Sequence, residues 1–272
     1  MQLALVSDVH ANLEALDAVL EDISRRCPRA RLVCAGDVVG YGPDPETCIA
    51  RLRDAAAVVV SGNHEEMLLG ARDFSRCVYA GVHSALWTRV HLPREAREFL
   101  SKLPAWADAA PGVVVCHGDL ASADRYVSTP PRAREALEQL AALRPEARVL
   151  VCGHTHQQLF FSSRDGFLPM APGSEKKLPD AERCLINPGS VGQERRERAT
   201  REQPLARYAW LDLERGIVTY RAVPYDHAAT LRKLRRAGLV AQVVLTPARG
   251  LQRHLERLKL SWARRRAARV PA

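Results

Sequence analysis

Short runs of apolar and β-branched residues recur along the chain, and a polar residue follows closely after each of them. The runs at residues 3–6, 32–34, 58–60, 113–115 and 149–151 precede Asp8, Asp37, Asn63, His117 and His154, respectively. Runs of this length and composition are typical of buried strands in sheets that are covered on both faces. Because the carboxyl ends of such strands meet at one edge of a sheet, we expect these five side chains to lie together there.

Segments with helical character separate these runs in the first half of the chain. Asn12 is suited to cap a helix over residues 13–25, and Pro45 and Glu65 each mark the start of a further helix. The pattern predicts other helices over residues 78–90, 93–101 and 132–143. This alternation of strands and helices indicates an α/β fold.

The second half of the chain is richer in strands. We predict strands over residues 158–162, 184–186, 208–213 and 218–223, with the last two joined as a hairpin. Residues 105–117 are predicted to pair through Pro111 and Gly112, and residues 164–183, rich in proline, glycine and charge, to form a surface loop. Two strand-rich halves among helices favour an α/β sandwich of two sheets with flanking helices.

Positive charge is concentrated at the end of the chain. The 272 residues carry a formal net charge of +9, but the segment from Arg232 onward holds twelve Lys and Arg residues and one acid, Glu256. That segment alone therefore carries +11, and the remainder is close to neutral at −2. We predict a domain over residues 1–226 and a basic, helical C-terminal extension over residues 227–272, whose charge concerns partners rather than chemistry.

The predicted extension has an apolar stripe with helical spacing, formed by Leu251, Leu255, Leu258 and Trp262. Basic side chains cover much of the remaining surface of this helix. Three interpretations stay open: the helix docks on the body with its charges in solvent, it contacts nucleic acid or another acidic surface, or it lies on a membrane surface.

Composition argues against a membrane-spanning or secreted protein. No apolar stretch is long enough to cross a bilayer, and Met1 leads into the first predicted strand without a signal segment. The seven cysteines form no CxxC pair, and Cys34, Cys116 and Cys152 lie inside predicted strands as small core residues. We therefore expect a cytoplasmic, reduced protein without a membrane span, and the oligomeric state stays open.

Four short motifs and one further histidine occur in a recognisable order. They are Asp8-Val9-His10, Gly36-Asp37, Gly62-Asn63-His64-Glu65, His117 and Gly153-His154-Thr155-His156. In this order, and at the ends of strands, they resemble the calcineurin-like metallophosphoesterases over residues 1 to about 226. The loop at residues 40–43 and the turn at residues 187–192 are similar to the compact bacterial branch. The resemblance implies the two-sheet α/β sandwich of the metallophosphoesterase type.

The resemblance also implies a dinuclear metal centre. One ion would be held by Asp8, His10, Asp37 and His156, and the other by Asp37, Asn63, His117 and His154. Asp37 would bridge the ions, with each of its two oxygens facing one of them. Two divalent ions polarise a phosphoryl oxygen and bring the pKa of a bridging water to about 7, so that hydroxide forms at neutral pH. Oxygen and imidazole ligands suit manganese, iron, zinc or nickel.

His64 has a different role in the family. The resemblance implies that it is not a ligand but a catalytic residue that protonates the leaving oxygen or stabilises the phosphoryl charge. Two roles stay open for Glu65, orienting His64 or favouring the start of a helix. Tyr41 and Arg195 are candidates for the substrate pocket, although residues 194–198 depart from the pattern of close relatives. The turn at residues 187–192 is interpreted as structural. Four histidines are interpreted as unrelated to the site: His83, His91, His227 and His254.

The function implied is hydrolysis of a small phosphorylated substrate, a phosphomonoester or phosphodiester, by a metal-bridged hydroxide, with a phosphatase favoured. A second interpretation is a nuclease or nucleotide phosphodiesterase that the basic extension recruits to nucleic acid. A third is a non-catalytic scaffold with the same fold. Lost ligands would mark such a scaffold, and this chain retains all the predicted ones.

Overall fold

Twelve strands and seven helices occupy the described residues of this computed structural model, which are 1–55, 57–75, 77–193 and 204–239. The strands are β1 (Gln2–Val6), β2 (Arg31–Cys34), β3 (Val58–Val59), β4 (Trp106–Ala110), β5 (Val113–Cys116), β6 (Val149–Val151), β7 (Gln158–Ser162), β8 (Gly166–Pro169), β9 (Glu175–Lys177), β10 (Cys184–Pro188), β11 (Leu205–Asp212) and β12 (Ile217–Pro224). The helices are α1 (Leu13–Arg26), α2 (Pro45–Asp54), α3 (Asn63–Leu69), α4 (Tyr79–His91), α5 (Arg94–Ser101), α6 (Pro130–Leu143) and α7 (His227–Arg236).

The strands form two mixed sheets. Their orders are β3-β2-β1-β11-β12-β9 in the first sheet and β4-β5-β6-β10-β7-β8 in the second. Parallel pairing joins β3, β2 and β1 in the first sheet and β5, β6 and β10 in the second, and the other described pairs are antiparallel. Five of these six parallel strands, all except β10, precede a candidate ligand, and within each sheet their carboxyl ends lie at the same edge.

Alternation along β1 shows how the layers are built. Leu3 and Leu5 belong to the core between the two sheets, whereas Ala4 and Val6 pack on the opposite face with residues of α1 and α2. Helix α6 covers the outer face of the second sheet, where Leu137 and Leu140 contact the outward residues of β5 and β6. Both faces of the parallel strands are therefore covered, as their continuous apolar runs require. The predicted two-sheet α/β sandwich with flanking helices is confirmed.

The predicted loop over residues 164–183 is wrong in part. It contains β8, which pairs with β7, and β9, which pairs with β12. Both are short strands at sheet edges, where charge and proline are tolerated because one side of the strand has no partner strand. Their composition therefore hides them from a search for apolar alternation.

The first helix of the predicted extension packs on the body. In α7, Thr230 and Leu234 are buried, and Lys233 Nζ lies 2.9 Å from Asp44 Oδ2. The apolar stripe of residues 251–262 lies outside the described residues, and the division at residue 226 stays a prediction. Among the helices that the structure describes, none combines the length and apolar character that a bilayer crossing needs.

Candidate metal centre

All seven predicted ligands lie at one edge of the sandwich. Their positions are Asp8 after β1, Asp37 after β2, Asn63 at the start of α3, His117 after β5, and His154 and His156 after β6, with His10 in the loop that follows Asp8. Each of these residues exposes at most 7% of its surface. Loops from both sheets thus contribute to one buried polar cluster. The assignment of each side chain as a ligand stays a prediction.

Asp8, His10 and His156 form a first cluster. Asp8 Oδ1 lies 3.1 Å from His156 Nε2, and the Nε2 atoms of His10 and His156 are 3.2 Å apart. The other oxygen, Asp8 Oδ2, accepts hydrogen bonds from the Ser7 hydroxyl at 2.7 Å and from the backbone N–H of His154 at 3.0 Å. One carboxylate oxygen is therefore held in place while the other faces the imidazoles.

Asp37, His117 and His154 form a second cluster, with ligand atoms within 4.8 Å of one another. His117 Nε2 lies 3.2 Å from Asp37 Oδ2 and 3.1 Å from Asn63 Oδ1. Asp37 Oδ2 is also 3.9 Å from His10 Nε2, so this oxygen faces both clusters. Asp37 Oδ1 instead accepts a hydrogen bond from the backbone N–H of His64 at 2.9 Å. Of the two Asp37 oxygens, one therefore faces both clusters and the other is bonded to the backbone, and the bridging role of Asp37 stays a prediction.

Backbone carbonyl groups fix the orientation of three imidazoles. The Nδ1 atoms of His10, His117 and His156 lie 3.2, 2.7 and 2.6 Å from the carbonyl oxygens of Val39, Ala35 and Gln193, respectively. A ring nitrogen beside a carbonyl oxygen carries the hydrogen, which leaves Nε2 of a neutral ring as an acceptor. In His10 and His156 two such acceptors face each other, and their lone pairs repel unless a cation lies between them. This donor set fits a divalent metal ion.

Burial and charge act on these groups in opposite directions. Burial would raise the pKa values of Asp37 and Asp8. Electrostatic attraction, mainly from His117 in the case of Asp37 and from His156 in the case of Asp8, outweighs burial and holds both pKa values well below the ordinary range. Burial would lower the pKa of His117, yet Asp37 raises it to about 10. The buried carboxylate of Asp37 and the imidazole of His117 therefore stabilise each other's charged forms.

His64 lies between the two clusters and the ring of Tyr41. Its ring centroid is 4.8 Å from those of His10 and Tyr41, and its Nε2 is 3.9 Å from Asp37 Oδ2. Its Nδ1 is buried and has no hydrogen-bond partner among the described residues. Burial lowers the pKa of His64. The geometry allows either a ligand or a proton donor here, so the predicted catalytic role stays a prediction.

Unfavourable backbone conformations are concentrated in this site. Seven non-glycine residues of the described part have a φ between 50° and 64°: Asp8, His10, Ala11, Asp37, Tyr41, His154 and His156. Five of them are predicted ligands, and the other two lie in the same loops. The left-handed conformation costs a non-glycine residue about 1–2 kcal/mol. Residues held in this way cluster at functional sites.

Two glycines permit the ligand loops to approach one another. A Cβ atom on Gly62 would lie 2.1 Å from Asp37 Oδ1, and one on Gly153 would lie 1.8 Å from Ser7 Oγ. Both separations are far shorter than any contact between a Cβ atom and an oxygen. The glycines that precede Asn63 and His154 are therefore required by close packing of the loops.

Glu65 joins two ligand loops. Its Oε2 accepts hydrogen bonds from the backbone N–H groups of Gly62 at 2.8 Å and Asp37 at 2.9 Å, and its Oε1 accepts one from Val39 at 3.0 Å. The bond to Gly62 supports the start of α3, which begins two residues before the predicted position. Burial and repulsion from Asp37 raise the pKa of Glu65 to about 7. The contacts favour a structural role over direct orientation of the His64 ring.

The turn over residues 187–192 holds the ligand loops together. Asn187 Nδ2 donates hydrogen bonds to the carbonyl of Gly153 at 2.7 Å and to Thr155 Oγ1 at 3.0 Å. The Ser190 hydroxyl donates to the carbonyl of Asp8 at 2.9 Å. These contacts agree with the structural interpretation of the turn.

Tyr126 is a residue of the site that the sequence did not indicate. Its ring stacks on that of His154 with centroids 3.9 Å apart and planes inclined by 29°, and 38% of the residue is exposed. A single tyrosine in a loop, without an apolar run or motif beside it, gives no signal in the sequence.

The remaining histidines of the described part lie outside the clusters. His83 stacks on Tyr79, His91 stacks on Trp87, and His227 packs against Tyr225. Arg195, a candidate for the substrate pocket, and His254, interpreted as unrelated to the site, both lie outside the described residues.

This chain belongs to the calcineurin-like phosphoesterase superfamily, because the model of the superfamily's domain matches residues 1–216. It is 33% identical to a protein of Methanocaldococcus jannaschii, MJ0912, over 196 residues, which are 71% of this chain and 77% of the relative. A shorter similarity, 35% identity over 83 residues, links it to serine/threonine-protein phosphatase 1 of Salmonella typhimurium. That match covers 30% of this chain and 35% of the relative.

Solved structures support the same assignment. A metallophosphoesterase from Sphaerobacter thermophilus superposes with a TM-score of 0.74 at 30% identity, covering 90% of this chain and 98% of that one. A hypothetical protein from Pyrococcus horikoshii, PH1004, shares the fold with a TM-score of 0.66 at 18% identity, covering 89% of this chain and 96% of that one. The predicted family resemblance is confirmed.

Proposed function

We propose that this protein is a phosphoester hydrolase that depends on two divalent metal ions and acts on a small phosphorylated substrate. One observation carries the proposal: two buried clusters of carboxylates and imidazoles lie side by side, Asp37 Oδ2 of the second cluster being 3.2 Å from His117 Nε2 and 3.9 Å from His10 Nε2 of the first, and in the first cluster two Nε2 acceptors face each other at 3.2 Å. The family to which the chain belongs supports this chemistry.

The predicted ligands divide between the two positions as the clusters do. Asp8, His10 and His156 would hold one ion, His117, His154 and Asn63 would hold the other, and Asp37 would contribute to both. When bound, two divalent ions at such a site polarise phosphoryl oxygens and lower the pKa of water enough to supply hydroxide at neutral pH. The oxygen and nitrogen donors suit manganese, iron, zinc or nickel.

The cysteine thiols near the site are poorly suited to act as the nucleophile, which is consistent with attack by hydroxide instead of a side chain. Cys34, Cys116 and Cys152 lie within three residues of a predicted ligand, and burial raises the pKa of each thiol above its ordinary value. A thiol held in the neutral form is a poor nucleophile. His64 would give a proton to the leaving oxygen, and Tyr41, whose ring contacts His64 and His10, would border the substrate. Arg195 is proposed to bind a substrate phosphate.

Phosphomonoesters are favoured over phosphodiesters, because the chain resembles the compact branch of the family, which lacks a capping domain for polynucleotides. The partial similarity to a serine/threonine-protein phosphatase points the same way. We also infer a cytoplasmic location. All seven cysteines are free, which suits a reducing compartment.

One observation favours a second candidate function. The net charge of +11 from Arg232 onward suits contact with nucleic acid, so a nuclease or nucleotide phosphodiesterase is the alternative substrate class. A non-catalytic scaffold is disfavoured, because the predicted ligands are present and buried together.

A matrix of metals and substrates tests the proposal. The protein is stripped with a chelator, reloaded with manganese, iron, zinc or nickel, and assayed on nitrophenyl phosphate and on bis-nitrophenyl phosphate. We expect no turnover without metal and faster turnover of the monoester with at least one metal. His83→Ala, which changes a histidine outside the site, should retain this activity. A folded protein that is inactive on both substrates with every metal would contradict the proposal.

A further inference from the structure

Asn12 makes hydrogen bonds through both polar atoms of its side-chain amide, next to the candidate metal centre. Its Oδ1 accepts a bond from the backbone N–H of Ala15 at 3.2 Å, which caps α1, and lies 3.1 Å from Thr230 Oγ1. Its Nδ2 donates to the carbonyl of Gly192 at 3.0 Å and lies 3.4 Å from the Tyr225 hydroxyl. Both the oxygen and the nitrogen of the amide are thus engaged in a residue that is only 4% exposed.

The carbonyl that Asn12 holds belongs to a turn that contacts two predicted ligands. The backbone N–H of Gly192 donates to the carbonyl of Asp8 at 2.9 Å. The next carbonyl, that of Gln193, lies 2.6 Å from His156 Nδ1 and so sets the orientation of that ring. A displacement of Gly192 would therefore be transmitted to Asp8 and His156 together.

The contacts of Asn12 lead to two ligand side chains of the first cluster, and they reach the second only one step further on, through the bond from the backbone N–H of His154 to Asp8 Oδ2 at 3.0 Å. His117 takes its orientation from the carbonyl of Ala35, at 2.7 Å from Nδ1, which is in a different loop. Tyr126 stacks on His154 from the far side. Among the described contacts of Asn12, none involves the residues that hold these two rings.

Two partners of Asn12 lie beyond the part of the chain that the family model matches. Tyr225 and Thr230 follow residue 216, where that match ends. Thr230 is 4% exposed and its hydroxyl also lies 2.9 Å from Glu14 Oε2. The C-terminal part of this chain therefore contacts both ends of the Asn12 amide, Thr230 at Oδ1 and Tyr225 at Nδ2, and the shorter of the two Nδ2 contacts is the one to Gly192.

We propose that Asn12 is a positioning residue of the metal centre, which acts through Gly192 on the ion position formed by Asp8, His10 and His156. It does not touch that position itself. The side-chain amide is needed because the same residue must both cap α1 and donate to Gly192. This inference rests on the proposed metal centre.

The test measures metal binding rather than turnover. Asn12→Asp has the same shape and keeps the acceptor for Ala15 and Thr230, but it removes the donor and places a carboxylate oxygen against the carbonyl of Gly192. Titration calorimetry of the chelator-stripped, full-length protein with Mn²⁺ should show two binding events for the unchanged protein. In Asn12→Asp, one event should weaken by about 10–100-fold, the usual effect of losing a group that orients a ligand, while the other stays unchanged.

Further variants locate the effect. In a His154→Ala background the remaining event should weaken when Asn12→Asp is added, whereas in a His156→Ala background it should not. Thr230→Val, which leaves the donor to Gly192 intact, should preserve both events. Asn12→Ser keeps a helix cap but is too short to reach Gly192, and it should reproduce the weakening if Asn12→Asp does not fold.

The outcomes separate this inference from the proposed function. Two unchanged events in both Asn12 variants, or an equal loss in both events, would overturn the positioning role and leave the metal centre standing. Fewer than two events in the unchanged protein would overturn the metal centre and this inference with it.

Discussion

At the scale of single residues, the role of His64 depends on where its ring lies relative to the predicted ligands, which the sequence alone does not give. Its Nε2 lies 3.9 Å from Asp37 Oδ2, and its buried Nδ1 has no hydrogen-bond partner among the described residues. This position of the His64 ring is compatible with either of two roles, that of a metal ligand and that of a proton donor. The two roles differ in how the rate depends on the leaving group and in whether metal is lost.

We predict that His64→Ala binds both metal ions but loses more rate on an alkyl phosphate than on a nitrophenyl phosphate. An alkoxide needs a proton in order to leave, whereas nitrophenolate does not. General acid catalysis contributes about 10²–10⁴-fold, so the rate on the alkyl substrate should fall towards that range. The measurement is kcat/KM on both esters together with metal content.

Two results would revise this role. Loss of one ion in His64→Ala would make His64 a ligand. Equal losses on both substrates with the metals intact would indicate that it stabilises phosphoryl charge instead.

At the scale of elements, α1 is tied to the first sheet by a buried carboxylate. Asp22 Oδ2 accepts a hydrogen bond from the Tyr208 hydroxyl at 2.8 Å, and Asp22 Oδ1 accepts one from Arg26 Nε at 2.9 Å. Burial would raise the pKa of Asp22, but these bonds outweigh it and lower the pKa. The helix that follows the first ligand loop is therefore anchored through a charged acceptor.

We predict that Tyr208→Phe lowers the free energy of unfolding by about 1.5–3 kcal/mol, the range for hydrogen bonds to charged groups. Tyr220→Phe is the matched control, because its equally buried hydroxyl donates to the neutral carbonyl of Leu159 at 2.8 Å. That variant should lose about 0.5–1.5 kcal/mol. Denaturant unfolding at neutral pH measures both.

The stability that Asp22 contributes through its bond to Tyr208 should decrease as the pH falls. A carboxylate whose pKa is lowered on folding contributes stability above its unfolded value, 3.8 here, and loses it as the pH falls through the folded value. The difference between Tyr208→Phe and the unchanged protein should therefore shrink in acid. An equal cost for the two variants, or a Tyr208→Phe cost that does not change in acid, would contradict this account.

The sequence revealed those elements whose burial leaves an apolar pattern. The runs before Asp8 and His117 predicted buried strands, and the family motifs predicted which side chains meet. Strands β8 and β9 were not predicted, because edge strands need no alternation of apolar and polar residues. The roles of Asn12 and Glu65 were partly missed, since their hydrogen bonds join loops that lie far apart in the chain and depend on how the two sheets pack.

At the scale of the whole molecule, the chain combines a family domain with a basic C-terminal part. Helix α7 is held on the body by Lys233, whose Nζ lies 2.5 Å from Glu14 Oε1 and 2.9 Å from Asp44 Oδ2. Both acids lie close in sequence to site loops. The basic segment thus starts from a helix that is fixed to the same part of the molecule as the candidate metal centre.

We predict that the full-length protein binds a DNA duplex with an affinity that falls steeply with salt if the extension contacts nucleic acid. Replacing Arg264, Arg265 and Arg266 together by Gln should then reduce the slope of log K against log[salt] by up to about 3, since each neutralised phosphate contributes about 0.9. Turnover of nitrophenyl phosphate should be unchanged. Equal DNA binding by both proteins would exclude recruitment through these arginines.

The number of metal ions bound per chain tests the central claim most directly. We expect the reloaded protein to hold two divalent ions, and Asp37→Asn to hold fewer than two and to lose activity by several orders of magnitude, because it removes the charge that Asp37 Oδ2 presents to both clusters. Asp17→Asn, a change at an aspartate on the surface of α1, should retain two ions and full activity. An Asp37→Asn protein that keeps two ions and near-normal turnover would contradict the account.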